Sequence, residues 1–463
     1  MNTPMLALRN VLRNRRRTLI TVTTIAIAAM AIAMLGGYVS STLKGLQTAT
    51  VRTTGHLQIM TEGYLSFGRG APDRYAIAGY AGLVHALQSD PVLAPLVRVL
   101  TPVLHVQGVA GYFPSGRSTT FAAQSWEPAD RERMLSWDGL AQGLPAQAGN
   151  LDPSRGDAGV VGVGLAQLLD LCGPLELSDC ERDADEAPAD AVTIPDDLAA
   201  LGQADNGSRA LQSADVAVEL LAAGTAGAPN VVRMNLIRAE QQGVRELDMM
   251  YVGMPLALGQ RLLFGPNGGG ASALVVQLHR SSDIEPAKAR IAELLERHPD
   301  QRLEVRRFED IQPAYVQVVS MFNTLFHFVT LLMLAVTLFS VANTVNMAVS
   351  ERTGEIGSLR AIGLRRSEIR SMFVLEGGLL GLIGALAGVL TAAMVSVWGI
   401  NRAGLSWTPP NNITPVPISI DLAGTGTLLV TLVIAMTLIA CLSAWWPARR
   451  AARLEIVEAL RHA

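Results

Sequence analysis

The amino-acid sequence predicts an α-helical membrane protein with four transmembrane helices and a large extracytoplasmic α+β domain inserted between helices 1 and 2. Three observations predict it. Four stretches, residues 18–40, 322–350, 372–400 and 422–446, are nearly free of charge, and each exceeds the roughly 20 residues that cross a bilayer core. Arginines gather at the ends of these stretches on one side only. The long segment between the first and second alternates strand-like with helical patterns. Composition agrees: hydrophobic residues make up 49% and charged ones 17%, where an ordinary globular domain has about 25% charged. Such a chain is not dominantly disordered. With 37 Lys+Arg against 40 Asp+Glu it is not a basic nucleic-acid binder either, so no nucleic-acid partner is expected.

Residues 1–17 form an N-terminal segment carrying Arg9, Arg13, Arg15, Arg16 and Arg17 with no acid. The first apolar stretch, 18–40, contains Ala31-Ile32-Ala33, which resembles a cleavage site. Its length exceeds the roughly 7–15 residues of a signal peptide's apolar region, so it is read as a retained anchor. Between spans two and three, residues 351–371 hold Arg352, Arg360, Arg365, Arg366 and Arg370, and residues 447–463 hold Arg449, Arg450, Arg453 and Arg461. With their acids counted, these three segments sum to +9, while residues 41–321 sum to −11. Four spans put the three basic segments on one side, and the positive-inside rule makes that side cytoplasmic. Trp445 and Trp446 followed by Arg449 and Arg450 give the aromatic-then-basic order of a cytoplasmic interface.

The extracytoplasmic segment, 41–321, shows strand patterns at His56–Met60, Val97–Val109, Ser118–Ala123, Val231–Ile237 and Ala273–Leu278, and helical patterns at Tyr80–Gln88, Val163–Leu171 and Pro286–Glu296. A smaller inserted lobe is expected over about 131–228, where Gly, Ala, Asp and Pro accumulate. Thr42–Arg52 and Phe308–Met321 are expected to extend spans one and two as a helical stalk. Cys172 and Cys180 are the two cysteines outside the membrane, where conditions oxidise, so a disulfide closing this short loop is expected. No histidine lies near them to make a zinc site, and no metal is expected. The acidic run from Glu176 to Asp197 lacks the ordered oxygens and bend glycine of a calcium loop and reads as solvated. Gly162-Val163-Gly164 is not followed by the third glycine of a dinucleotide fingerprint and reads as a strand-to-helix turn. No Ser/His/Asp, Cys/His or paired-carboxylate arrangement with supporting spacing occurs, so no catalytic residue is assigned. His327 near the outer end of span two is read as interfacial or stalk-packing. The external loop 401–421 is kept non-helical by Pro409, Pro410, Pro415 and Pro417.

Lys44 and Lys288 are the only lysines; the other 35 basic residues are arginines. A phosphate-binding P-loop needs Gly-Lys-Ser/Thr. Lys44 lies between Leu43 and Gly45, and Lys288 between Ala287 and Ala289, so the sequence carries no P-loop. Within 351–371, Ile356, Leu359 and Ile362 recur every three residues as an apolar stripe, and Glu351 and Glu355 line the adjacent face. Such a segment can lie on a membrane surface or dock in a partner's groove. Span three carries Gly377, Gly381, Gly384 and Gly388, whose spacing lets helices approach closely, within one subunit or alternatively at a dimer seam.

Glu351-Arg352-Thr353-Gly354-Glu355-Ile356-Gly357-Ser358-Leu359-Arg360-Ala361-Ile362-Gly363, then Arg365-Arg366-Ser367-Glu368-Ile369, resembles the cytoplasmic signature of the FtsX/MacB/LolC-type permeases of ABC transporters. The likeness continues through Leu375-Glu376-Gly377, through Pro447–Arg453 with Val457–Arg461, and through Ala7–Asn14 with Arg15–Arg17. Val160–Leu171 and the stretch from Asp248 through Val252–Leu256 to Leu262 resemble, more loosely, that family's periplasmic core. Leu364 stands where the family more often has a small residue. The resemblance implies that Glu351, Arg352, Glu355, Ile356, Gly357, Leu359, Arg360, Ala361 and Gly363 form a coupling helix on a separate ABC ATPase dimer, which would hold the ATP and magnesium; none is expected in this chain. It implies a second permease copy or paralogue, a periplasmic adaptor or acceptor protein, and contact with membrane lipid in a bacterial inner membrane with both termini cytoplasmic. The function it implies is mechanotransmission for extracting or exporting lipoproteins, lipids, peptides or other hydrophobic compounds. The alternative is an FtsX-like module that activates cell-wall hydrolases.

Overall fold

The computed structural model describes residues 15–68, 70–140, 151–177, 216–224, 229–266, 268–297, 301–408 and 415–453. In chain order the principal elements are α1 (Arg15–Thr54), β1 (Leu57–Thr61), α2 (Tyr80–Gln88), β2 (Val97–Tyr112), β3 (Arg117–Trp126), α3 (Pro128–Leu135), β4 (Ala158–Gly162), α4 (Val163–Leu168), β5 (Ala217–Ala223), β6 (Pro229–Glu240), β7 (Tyr251–Pro255), α5 (Leu256–Phe264), β8 (Ala273–Leu278), α6 (Ile284–Leu295), β9 (Leu303–Arg307), α7 (Pro313–Glu351), α8 (Thr353–Ala361), α9 (Arg366–Met394), the short pair β10 (Ser406–Trp407) and β11 (Val416–Pro417), and α10 (Gly426–Ala451). The chain divides into two compact units, one of Met1–Leu46, Ala314–Trp407 and Val416–Ala463, the other of Gln47–Pro313 with Thr408–Pro415.

The first unit is helical. α1, α7, α9 with its continuation to Ala403, and α10 are the four described helices long and apolar enough to cross a membrane. At 1.5 Å per residue the 40 residues of α1 extend about 60 Å, twice a bilayer core. Small residues form much of the unit's interior. Ala29 and Ala33 of α1, Ala385 of α9 and Ala440 and Ala444 of α10 are buried together, with Phe373 and Met436 filling the gaps. Large apolar side chains point outward instead, among them Phe328, Leu331 and Phe339 on α7 and Leu438 and Leu442 on α10. Lipid is as apolar as leucine, so close packing rather than hydrophobicity selects which face turns inward. Thr21 and Thr344 share a 2.7 Å hydroxyl hydrogen bond between α1 and α7. Ser443 of α10 donates to the Leu338 carbonyl of α7.

The second unit is a mixed α/β unit around one nine-stranded sheet in the order β3-β7-β4-β6-β5-β2-β8-β1-β9. β2 is long enough to serve two partners on one edge: Val97–Val103 pairs with β8, and Val109–Gly111 pairs with β5. Its other edge pairs with β3 over Val103–Tyr112. Since β3 pairs with β7, β7 with β4, β4 with β6 and β6 with β5, six strands close into a ring. Period-2 alternation fills the ring: Leu104 and Val106, Phe121 and Ala123, Val218 and Leu220, and Val252 and Met254 are buried in one core. α5 adds Leu258 and Leu262 to that core. β8, β1 and β9 continue the sheet from the first half of β2.

Two expectations change. The stretch at about 131–228 supplies β4 and β5 to the shared sheet, with α4 following β4, so its described residues are not a separate lobe. Ala-rich β5 (AVELLAA) has weak strand propensity, and its place comes from burying Val218 and Leu220 against the ring core. The second half of the expected stalk is also broken. A short helix, Phe308–Ile311, ends at Gln312, and α7 starts at Pro313, whose ring disfavours helix at the residue before it. Cys180, the acidic run beyond Leu177, and the terminal motifs before Arg15 and after Arg453 lie outside the described residues.

Candidate functional site

The connection between α7 and α9 folds as α8, a nine-residue helix covering the core of the signature. Thr353 and Ser358 send their hydroxyls back to the Val349 and Gly354 carbonyls. At the other end Gly363 adopts a φ of 103° and the Leu364 amide bonds the Leu359 carbonyl at 3.1 Å. A left-handed residue just past the last turn closes a helix in this way, and glycine adopts it without penalty. α9 then opens with Glu368 accepting from the Arg365 amide at 2.8 Å. Both helix ends are thus set by local chemistry.

The apolar stripe splits along α8. Ile356 and Gly357 are buried, Leu359 is half-buried, and Ile362 is 80% exposed. Glu355 and Ala361 are exposed and Arg360 is half-buried. The start of the loop is tied inward by two ion pairs. Glu351, closing α7, meets Arg17 of α1. Arg352 is 5% exposed and its Nη1 lies 3.8 Å from Oε2 of Glu376 on α9, which is 8% exposed. Among the described residues the Arg352 guanidinium nitrogens make no hydrogen bond, so the charge of Glu376 is the compensation shown for burying them.

Sequence reasoning selected Glu351 and Arg352 for a partner; the structure places both against this chain's own helices. It did not select Arg17 or Glu376 for the site. Glu376 left a signal, being an acid in an apolar segment. Arg17 left none, as one of several terminal arginines.

The span-three glycines face two neighbours. A Cβ on Gly377 or Gly381 would come within 2.6 or 2.5 Å of the Cβ of Ala444 or Ala440 on α10. One on Gly384 would come 2.7 Å from Ile25 Cβ, and one on Gly388 would come 2.4 Å from the Ala26 carbonyl oxygen, both on α1. α9, which follows α8 directly, therefore packs backbone-close to both α1 and α10. His327 bonds only locally in what is described, its Nδ1 donating to the Asn323 carbonyl at 2.6 Å.

In the α/β unit, Asp248 lies in the stretch likened to a periplasmic core and is buried. Its Oδ2 accepts from the Gly164 amide at 2.6 Å and its Oδ1 from the Gln242 amide at 2.9 Å. Gly162 and Gly164 thus serve a strand-to-helix turn held by a carboxylate. No cluster of three potential metal ligands occurs among the described residues. Of the two cysteines expected to bridge, Cys180 is outside the described residues; Cys441, within α10, is a free thiol.

Part of the chain is similar to known proteins. The family model described as FtsX-like permease C-terminal matches residues 327–456. The chain is 31% identical over 211 residues to "Macrolide export ATP-binding/permease protein MacB" of Hyphomonas neptunium, covering 45% of this chain and 30% of that protein. It is 28% identical over 210 residues to "Uncharacterized ABC transporter permease MJ1507" of Methanocaldococcus jannaschii, covering 43% and 48%. It is 31% identical over 140 residues to "Lipoprotein-releasing system transmembrane protein LolC" of Xylella fastidiosa, covering 28% and 33%. The match thus spans less than half of each of these relatives. α8 lies inside the segment that matches the FtsX-like permease C-terminal model, and the chain is similar over less than half of its length to ABC transporter permeases of the MacB and LolC kind.

Proposed function

We propose that the chain is the permease subunit of an ABC transporter in a bacterial inner membrane, with cytoplasmic termini and α8 docked on an ATPase dimer of separate chains. The lack of a Gly-Lys-Ser/Thr sequence supports placing ATP and its magnesium in that partner. ATP-driven closure displaces α8, and the apolar helices carry the displacement to an extracytoplasmic α/β unit. Mechanotransmission suits these helices because His327, Glu376 and the terminal arginines give little from which to build a polar path through lipid. The α/β unit then acts on material already outside or in the outer leaflet: lipoproteins, lipids, peptides or other hydrophobic compounds. The relatives named for macrolide export and lipoprotein release fit within that range. A second permease copy or paralogue, and a periplasmic adaptor or acceptor, complete the assembly.

The carrying observation is Ile362, 80% exposed at the end of a helix whose other isoleucine is buried. A partner groove would cover it. Burying one such side chain contributes about 1.5–3 kcal/mol, so Ile362→Asp should weaken ATPase retention at least roughly tenfold. The test is purification from the native membrane with quantitation of the copurifying ATPase and its ATP turnover, for the wild type, Ile362→Asp and Glu355→Ala/Arg360→Ala. Coupling is refuted if no ATPase copurifies, or if the substitutions leave its retention and turnover unchanged. A copurifying cell-wall hydrolase without loss of any membrane component would instead establish the FtsX-like regulatory role.

A further inference from the structure

The C-terminal end of α1 is enclosed by the α/β unit, and its last turn is gripped by side chains. A helix leaves its last four carbonyls without partners inside the helix. Here those carbonyls belong to Val51, Arg52, Thr53 and Thr54, and each receives a donor. Val51 accepts from Gln277 Nε2 at 3.2 Å and from the Gly55 amide at 3.0 Å. Arg52 and Thr53 accept from Arg131 Nη1 at 3.1 and 3.4 Å. Thr54 accepts from Gln58 Nε2 at 2.9 Å.

The donors are themselves held. Gln277 donates also to the Met134 carbonyl of α3 at 3.1 Å. Both its acceptors are carbonyls, which fixes the amide orientation and leaves Oε1 buried without a hydrogen bond among the described residues. Arg131 lies over the Trp126 ring, 4.7 Å from its centroid, and its charge meets the negative end of the helix dipole. Arg52 returns the grip, its Nε donating to the Trp137 carbonyl at 2.7 Å. Val51, Arg52 and Thr54 are buried. Water therefore has little access to the bonds of Val51, Thr54 and the Arg52 side chain, while Thr53 is exposed and Arg131 half-buried, so Arg131 shields the open side of the turn.

We propose that Arg131 and Gln277, with Gln58, are positioning residues that clamp the last turn of α1 into the α/β unit, and that this clamp is the joint through which movement of the first membrane helix becomes movement of that unit. The clamp's role in transmission rests on the mechanotransmission reading above. Arg131 is the decisive member. It serves two carbonyls with one charged group, and it belongs to α3 rather than to the strands that follow α1.

The test is hydrogen exchange by mass spectrometry on the full chain in lipid nanodiscs, with the copurifying ATPase and with and without ATP. Without ATP, Arg131→Met should speed exchange over residues 51–58 roughly tenfold, because charged hydrogen bonds to an enclosed helix end are lost. Arg131→Lys keeps a cation that can cap the carbonyls and should stay near wild type. With ATP, the wild type should show altered exchange in the β2–β3 region. Arg131→Met should keep ATP turnover but lose that response, and Arg131→Lys should retain it. A protein whose fold alone had suffered would not keep turnover while losing the response. Equal behaviour of the Met and Lys variants, or an ATP response in Arg131→Met undiminished from wild type, overturns the clamp. A wild type without any ATP response overturns the mechanotransmission reading itself and the clamp's part in it.

Discussion

His56 makes the α/β unit sensitive to acid, by an amount the structure sets. It follows α1 directly and is completely buried. Its Nδ1 accepts from the Leu278 amide at 3.0 Å, so in the neutral ring the proton sits on Nε2 and donates to Ser281 Oγ at 3.1 Å. The Trp137 ring packs edge-on at 5.0 Å. Burial drives His56 down from 6.5 to about 4, and the nearby charge of Asp283 offsets this only in part. Its folded value lies below its unfolded one, so between about 6.5 and 4 the unfolded chain binds more protons, and stability falls as pH falls through that window. At 1.36 kcal/mol per unit the whole loss approaches about 3 kcal/mol below pH 4, and about 2 kcal/mol of it is reached by pH 5. Asp90, held near 2 by Arg290 and by the Leu93 and Val92 amides, titrates below this window. The assay is urea unfolding of the full chain in detergent at pH 7 and pH 5, followed by tryptophan fluorescence, for the wild type and His56→Gln. The variant is less stable at pH 7 but does not titrate at this position. The stability difference between the two proteins should therefore shrink by about 2 kcal/mol from pH 7 to pH 5. A difference that stays constant would show that His56 is not held neutral by its surroundings, and the reasoning fails.

Other outcomes follow from the same geometry. Gly388→Ala sets a Cβ 2.4 Å from the Ala26 carbonyl oxygen, where backbone must move, and should cost about 2–3 kcal/mol in thermal unfolding in detergent. Gly378→Ala meets only the Cys441 thiol at 2.8 Å, a side chain able to turn, and should cost less than about 1 kcal/mol; equal costs would refute the backbone-contact account. Asp248→Asn turns one acceptor of two backbone amides into a donor, and should destabilise the α/β unit by about 1.5–3 kcal/mol in urea, whereas an unchanged midpoint would deny the turn its carboxylate clamp. Peptide mapping without reductant should recover Cys172 and Cys180 in one linked pair; two freely alkylated thiols would exclude the bridge.

Helix length and strand periodicity carried most of the fold. The patterns at His56–Met60, Val97–Val109, Ser118–Ala123, Val231–Ile237 and Ala273–Leu278 correspond to β1, β2, β3, β6 and β8. The other four strands of the nine-stranded sheet are less legible, each for a reason. β4 (AGVVG) and β7 (YVGMP) are short, glycine-bearing and covered on both faces; β5 resembles a helix in composition; β9 (LEVRR) is an edge strand whose charges keep other strands from adding to it. The closed ring was illegible as well, since it depends on β2 changing partners along one edge, from β8 to β5. In the candidate site, the run from Glu351 to Gly363 stood out because its charges and glycines sit between two long apolar stretches. The residues that hold it did not. Arg17 is 334 positions from Glu351, and nothing local marks a pairing across that separation.

The Arg352–Glu376 pair bears on why this loop is built as it is. A buried pair at 3.8 Å, with no hydrogen bond from the guanidinium among the described residues, is a poor source of stability, and a well-packed apolar pair of similar volume often does as well or better. Removing Glu376 alone is different, costing about 3–5 kcal/mol because the buried Arg352 charge then has no compensation among the described residues. Such a pair specifies an arrangement more than it strengthens one. It forces the residue that starts α8 to stay beside one position on α9, one residue before Gly377, where α9 presses against α10. Arg17 and Glu351 impose the same condition between α1 and α7. The loop that meets the proposed ATPase is therefore held by charge at its inner end and free at Ile362. On the proposed mechanism, a displacement entering at the free end would reach α9 and α1 through these two fixed points, whereas loose packing would absorb it.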